Sequence, residues 1–111
     1  MTDDAELMRL VEAHQRLDAM AQAVVRDASA LDDLTPYGTD ELPAAITALQ
    51  TGLETGAVDQ IVDGARWVAR AFTATPMAMF TLGGGEAAFA LCGGVMGLRA
   101  DLLTLDEAAE K

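Results

Sequence analysis

The stretch Glu86–Leu105, EAAFALCGGVMGLRADLLTL, is apolar around most of its circumference when it is placed on a helix. Only Arg99 and Asp101 bring charge near its middle. A helix that is apolar on every side is usually buried on every side. The sequence therefore predicts a helix in the centre of a bundle, at an oligomer interface or in a membrane. Its two apolar stripes are Ala88, Leu91, Val95, Leu98, Leu102 and Leu105, and Phe89, Cys92, Met96 and Leu103.

A third strip of this stretch consists of small residues, namely Ala90, Gly93, Gly94 and Gly97. Each glycine inside a helix costs about 1 kcal/mol relative to alanine. Close approach of a second backbone would offset that cost, and the spacing of Gly93 and Gly97 allows such an approach. The alternative is that Gly93 and Gly94 break the helix into two pieces. The sequence alone leaves both interpretations open.

Composition limits the fold class and the partners. The 111 residues suffice for one domain with a modest core, and 51% hydrophobic residues with only 5% aromatics indicate an aliphatic, helix-favouring interior. The formal net charge of −11 argues against binding nucleic acid or an anionic membrane, because both need cationic patches. It is compatible with a halophilic or GC-rich source, or with an acidic surface that imitates nucleic-acid phosphates. The N-terminal residues Met-Thr-Asp-Asp do not resemble a signal peptide, so we expect a cytoplasmic location.

The N-terminal part has the clearest helical pattern of the chain. Asp3 is a suitable N-cap, and Glu6 suits the positive end of the helix dipole. An apolar seam follows, whose positions repeat every three or four residues: Leu7, Leu10, His14, Leu17, Ala21, Val24, Ala28 and Leu31. His14 lies within this seam, where it could fix the register of the helix or respond to pH, or simply reach solvent at the edge of the seam.

Shorter helices are predicted in the middle of the chain. Pro36 and Gly38 mark a turn, Pro43 is tolerated only in the first turn of the next helix, and Gly56 is typical of its C-terminal cap. The third helix has an apolar stripe from Val58 to Phe72. Pro76 then precedes a short apolar segment, 76–82, which we interpret as a further helix because no partner strand is evident.

Trp67 is an exception to the pattern of the third helix. It projects nearly opposite the apolar stripe, beside the small residues Gly64 and Ala71. A tryptophan surrounded by small residues is a plausible anchor for a protein partner. It could equally pack under the 76–82 segment of its own chain.

The residues that carry catalysis are few. His14, Ser29 and Cys92 are the only members of their residue types, and His14 and Ser29 lie about 20 Å apart along one helix. No zinc site of Cys/His type can form within one chain, and the di-iron Glu-x-x-His pairs are absent. The 83–85 glycines lack the lysine of a P-loop. We therefore expect no enzyme, no cofactor and no metal.

We expect a small antiparallel all-α bundle of four to five helices in a single domain, 1–111. The predicted helices are 4–31, 41–55, 57–73, 76–82 and 86–105. The predicted function is non-catalytic interaction or assembly, through homo-oligomerisation or as a subunit of a larger complex. The alternatives are a membrane-associated protein that inserts residues 71–98, which Pro76 and the glycines disfavour, and an acidic inhibitor that imitates nucleic acid. The candidate interface residues are Trp67, Gly64, Ala71, Phe89, Gly93, Met96, Gly97 and His14.

Overall fold

A computed structural model describes residues 3–75, 77 and 85–109 of the chain. These residues form four α-helices, and among them no strand occurs. The predicted helix at 76–82 lies outside the described residues except for Met77, which is helical and exposed. The helices are α1 (Asp3–Ser29), α2 (Leu42–Thr55), α3 (Val58–Ala71) and α4 (Gly85–Ala109), with a short 3₁₀ helix at Thr35–Tyr37.

The two long helices, α1 and α4, form the main pair of the bundle and run antiparallel. A Cβ on Gly94 would lie 3.0 Å from Val24 Cγ2, and one on Gly97 would meet the side chain of Met20. Gly94 and Gly97 therefore make room for side chains of α1. Helix α4 continues through its glycines without a break. Close approach of a second backbone is found only at Gly94, where an added Cβ would lie 3.9 Å from Val24 Cα. At Gly97 the neighbouring atoms belong to the Met20 side chain, and a Cβ on Gly93 would meet nothing within 4 Å.

Helices α2 and α3 form a second antiparallel pair around a tight turn. Gly56 adopts the left-handed conformation (φ 72°) and its N–H donates to Gly52 O, as expected for a glycine cap. Gly52 and Gly64 face the neighbouring helix so closely that a Cβ on Gly64 would lie 2.8 Å from Leu49 Cα. Neither α2 nor α3 could approach the other in this way with a side chain at these positions.

The connection between α1 and α2 is tied to the end of α3. Thr39 N–H donates to Ala71 O at 2.8 Å, and the N–H groups of Thr73 and Ala74 donate to Tyr37 O at 3.0 Å. Tyr37 itself is buried. The connection thereby holds α2 against α3 at the end opposite the Gly56 turn.

All four helices contribute to one aliphatic core. Among the described residues, no polar or charged residue is fully buried. The α4 residues of the core are the first stripe found in the sequence, together with Cys92. The largest fully buried side chains are Phe72, Leu17, Leu42, Leu49, Leu91, Leu98, Val24, Val68 and Val95.

Candidate interaction surface

The side of α4 that points away from the core carries a second apolar stripe. Its positions repeat at intervals of four and three residues, as the core stripe does, and all of them are exposed. At about 100° per residue, the centre of this stripe is roughly opposite Leu98, which is fully buried. We call this set the α4 outer stripe; it consists of Phe89, Gly93, Met96, Ala100 and Leu103.

The large side chains of the α4 outer stripe are substantially exposed. Phe89 is 43% exposed, Met96 52% and Leu103 62%. From Phe89 to Leu103 the stripe extends about 21 Å along the helix. Single exposed apolar residues are common, but a continuous apolar patch on a soluble protein often marks a binding surface. The regular spacing is what distinguishes these residues from scattered ones.

The α4 outer stripe carries no charge along its length. Glu86 and Glu107 are exposed and lie just beyond its two ends. Arg99, the nearest cation in sequence, turns to α3, where its Nη2 donates to Ala69 O at 2.8 Å and to Phe72 O at 2.6 Å. The stripe is therefore an uncharged surface between two carboxylates.

Of the four candidate interface residues on α4, three lie on this outer face and one does not. Phe89, Gly93 and Met96 are exposed there. Gly97 is turned toward α1 and is covered by Met20. Ala100 and Leu103 were not among the candidates, although their spacing from Met96 would have identified them. Cys92, which shares the second stripe of the sequence, is buried because a period of 3.6 residues carries it toward the core.

The candidates on α3 have a different environment. Gly64 and Ala71 are buried within the chain, Gly64 against Leu49 of α2. They belong to the packing of the bundle and are not available to a partner. Trp67 is half-buried between α2 and α3, and its Nε1–H donates to Glu41 Oε1 at 2.9 Å. Of the small neighbours of Trp67, Gly64 serves the contact between α2 and α3, whereas Ala71 contacts the connection that precedes α2. The sequence alone could not distinguish these roles from partner binding.

His14 lies on a second, partly apolar surface. It is partly buried in a groove where α1 passes the α2–α3 turn. Val11 and Val58 on the rim of this groove are 42% and 51% exposed. The groove has a volume of about 490 Å³. Its residues do not share a single helical register, unlike those of the α4 outer stripe.

One salt bridge of the described residues joins two helices, and another, between Arg26 and Asp27, lies within α1. Arg66 of α3 makes a two-pronged salt bridge with Asp106 of α4, with Nη1 3.1 Å from Oδ2. Hydrogen bonding from Arg66 holds the pKa of the Asp106 carboxyl below its usual value. Side-chain and backbone hydrogen bonds from Thr35 similarly lower the pKa of Asp33. Arg66 thus pairs with a carboxylate on α4, whereas its sequence neighbour Asp63 lies on α3.

Two further observations concern the ionisable side chains of the described part of the chain. No group of three or more His, Cys, Asp or Glu side chains is arranged to hold a metal ion there. A hollow between the start of α1 and the end of α4 contains charges of both signs, including Arg9, Glu12 and Glu107. Such mixed charge is typical of a solvated surface.

Helix α4 is also long and apolar enough to cross a membrane, judged by length and composition. Helices in the core of soluble proteins have the same properties, and one face of α4 packs against α1 and α3 in this structure.

Comparison with protein-family models, with curated proteins and with solved structures gives no match. Inferences about function therefore rest on the residues of this chain.

Proposed function

We propose that this chain is a non-catalytic interaction or assembly protein whose contact surface is the α4 outer stripe. Its action is to bring helices of separate chains together. The observation that supports the proposal is the exposed heptad-like register of Phe89, Met96 and Leu103 on a helix whose opposite face is already buried. A bundle helix needs one apolar face for its own core. A second face with the same period is typical of a helix that packs against two neighbours.

The surface chemistry of the stripe suits contact with another protein. Methionine, phenylalanine and leucine provide adaptable apolar area, and Gly93 and Ala100 between them allow a second helix to come close. Interfaces have an apolar centre and a polar rim. Glu86 and Glu107 supply polar groups at the two ends of the stripe.

The proposal is tested by placing a charge at the middle of the stripe. We expect Met96→Asp to abolish association, because a carboxylate in the centre of an apolar interface would lose its water. Light scattering during size-exclusion chromatography gives the mass of the wild-type protein and of the variant. The wild-type protein should have a mass above that of one chain at high micromolar concentration, and Met96→Asp should have the mass of one chain.

Gln50→Asp is the matched control, since it adds the same charge at an exposed position in α2. Circular dichroism of both variants shows whether they retain the wild-type helix content. A wild-type protein that remains a single chain at every concentration, alone and in a lysate of its source, would contradict the proposal. So would an assembly that Met96→Asp and Gln50→Asp leave equally intact.

A further inference from the structure

We propose that the α2–α3 hairpin is a lid, which opens at its Gly56 turn and stays attached to the bundle at its other end. This motion is independent of the α4 outer stripe, because it changes the contacts of the hairpin with α1 and with Asp106 of α4. The packing and the hydrogen bonds of the hairpin are unevenly distributed along its length, and this asymmetry determines which end can move.

The hairpin is closely packed within itself. A Cβ on Gly52 would lie 2.9 Å from Ile61 N, and one on Gly64 would lie 2.8 Å from Leu49 Cα, so the backbones of α2 and α3 touch at two levels. Two helices in such close contact form a cooperative unit, which opens or stays closed as a whole. We therefore expect α2 and α3 to move together as one body.

Burial decreases along the hairpin toward the Gly56 turn. Leu42 and Leu49 of α2 are fully buried. Leu53, one turn later, is only partly buried, and Val58 beyond the turn is exposed. The groove of about 490 Å³ lies at this same end, between the turn and α1. Side chains that line an open groove lack part of their packing contacts, so the turn end is held least firmly against α1.

The polar contacts of the hairpin are also one-sided. Within the described parts of the chain, no side-chain hydrogen bond or salt bridge joins α1 to α2 or α3. On the other side of the hairpin, Asp106 of α4 accepts from Arg66. Arg99 of α4 donates to Ala69 O and Phe72 O at the end of α3. The hairpin is thus bonded to α4 and only packed against α1.

The two contacts with α4 have different positions and therefore different roles. Arg99 holds the last turn of α3, where Thr39 N–H of the connection also donates to Ala71 O, and we call this end the hinge. The salt bridge of Arg66 and Asp106 starts from the middle of α3, so it must break before the Gly56 turn can move away. Its side chains are 38% and 45% exposed, and exposed pairs of this kind contribute little stability. This salt bridge is a weak latch.

Opening of the lid would uncover the floor of the groove. Leu17 of α1 and Ile61 of α3 are buried, and both line the groove. Separation of the turn from α1 would add these side chains to the exposed Val11 and Val58 of the rim. The result is a deeper apolar cleft, which forms in the fraction of molecules whose latch is broken.

Thiol labelling under native conditions measures the opening, because a buried cysteine reacts only when it becomes exposed. Leu17→Cys places a thiol in the floor of the groove, and Ile61→Cys places one on the opposite wall. Circular dichroism identifies which of the two retains the wild-type helix content, so a single folded variant is enough. The wild-type protein, with Cys92 alone, gives the background rate, and peptide mass identifies the labelled position.

The introduced thiol should react with Ellman's reagent at least about tenfold faster than global unfolding allows, as calculated from a urea titration of the same variant. It should still react far more slowly than an unprotected thiol. A rate equal to that of global unfolding would show that the hairpin does not open separately. A rate equal to that of an unprotected thiol would show that the groove floor is always exposed. Either result would overturn the proposal.

Two second substitutions distinguish the latch from the hinge. Asp106→Asn breaks the latch and should accelerate labelling about two- to fivefold, the factor expected for one exposed salt bridge. Glu107→Gln, the same chemical change at the next, exposed position, is its control and should leave the rate unchanged. Arg99→Ala should lower the global stability without changing the labelling rate, because the hinge contact persists in the open form. Equal acceleration by Asp106→Asn and Arg99→Ala would mean that the hairpin detaches entirely, and the proposed hinge would be wrong.

Discussion

At the scale of single residues, the glycines of this chain have three different roles. Gly56 adopts a left-handed conformation at a helix end, Gly64 allows two backbones to meet, and Gly93 lies on the exposed face with open space around it. Only the cap at Gly56 was evident from the sequence, because a helix cap is indicated by the residues next to it in the chain. The environments of Gly64 and Gly93 depend on which helix, if any, lies opposite them.

Gly64→Ala should destabilise the fold by about 1–3 kcal/mol, because the added methyl group would collide with the backbone of Leu49. Gly93→Ala is the matched control, with the same chemical change at an open position. It should raise the free energy of unfolding by about 0.5–1 kcal/mol, since alanine favours the helix. Urea titrations at a concentration where the chain is monomeric measure both changes. If the two substitutions changed the free energy of unfolding equally, the close contact at Gly64 would not contribute to stability.

The salt bridge between Arg66 and Asp106 should make stability depend on pH in the acid range. Hydrogen bonding from Arg66 lowers the pKa of Asp106 in the folded state below the usual value of 3.8. A group of this kind stabilises the fold above its unfolded pKa, and the contribution is lost as the pH falls through its folded pKa. The wild-type protein should therefore exceed Asp106→Asn in free energy of unfolding at pH 6. The difference should shrink below about pH 4. Urea titrations across this range measure it; a difference independent of pH would contradict the assignment.

At the scale of elements, Arg99 connects the end of α3 to α4. Its guanidinium donates to carbonyl groups of Ala69 and Phe72, which the helix leaves without partners at its C-terminus. A positive charge there is also favourable for the helix dipole. In the sequence, Arg99 was only an interruption of an apolar run. Its role requires the end of a helix 27 residues away to lie beside it.

Arg99→Ala should destabilise the fold by about 1–2 kcal/mol, because carbonyl groups at the end of α3 lose a charged donor. Hydrogen exchange should increase most at the amides of Phe72, Thr73 and Ala74, which follow that end. Arg70→Ala removes the same charge from an exposed position of the last turn of α3 and is the control. If both variants exchange alike in this segment, general loss of charge, and not the contact between the helices, would explain the effect.

At the scale of the whole molecule, the charge of −11 opposes any association of two copies. The described residues form an elongated body of 53 × 28 × 20 Å, so two copies in contact along α4 bring their acidic surfaces near one another. Repulsion between exposed charges is screened by salt, with a Debye length of about 10 Å at 0.1 M. Apolar contact between the stripes is not weakened by salt in this way.

Self-association through the α4 outer stripe should therefore strengthen with salt. We expect the association constant to rise about three- to tenfold between 20 mM and 500 mM sodium chloride, because repulsion is screened while the apolar contact persists. Sedimentation equilibrium at the two salt concentrations measures this change. Weakening by salt would instead indicate that ion pairs hold the copies together, and it would favour a contact through oppositely charged surfaces.

The sequence by itself determined the fold class, the long N-terminal helix, the Gly56 cap and the core stripe of α4. These follow from local periodicity and backbone preference, which are properties of neighbouring residues. The helix bounds agree within a few residues where the chain is described. The tertiary structure decided which of several apolar stripes is buried and which is exposed. It covered Gly97 with Met20, buried Gly64 and Ala71, and left Met96 and Leu103 in solvent. Periodicity shows that a helix has apolar faces, but only the positions of the neighbouring helices determine which of them remains available to another chain.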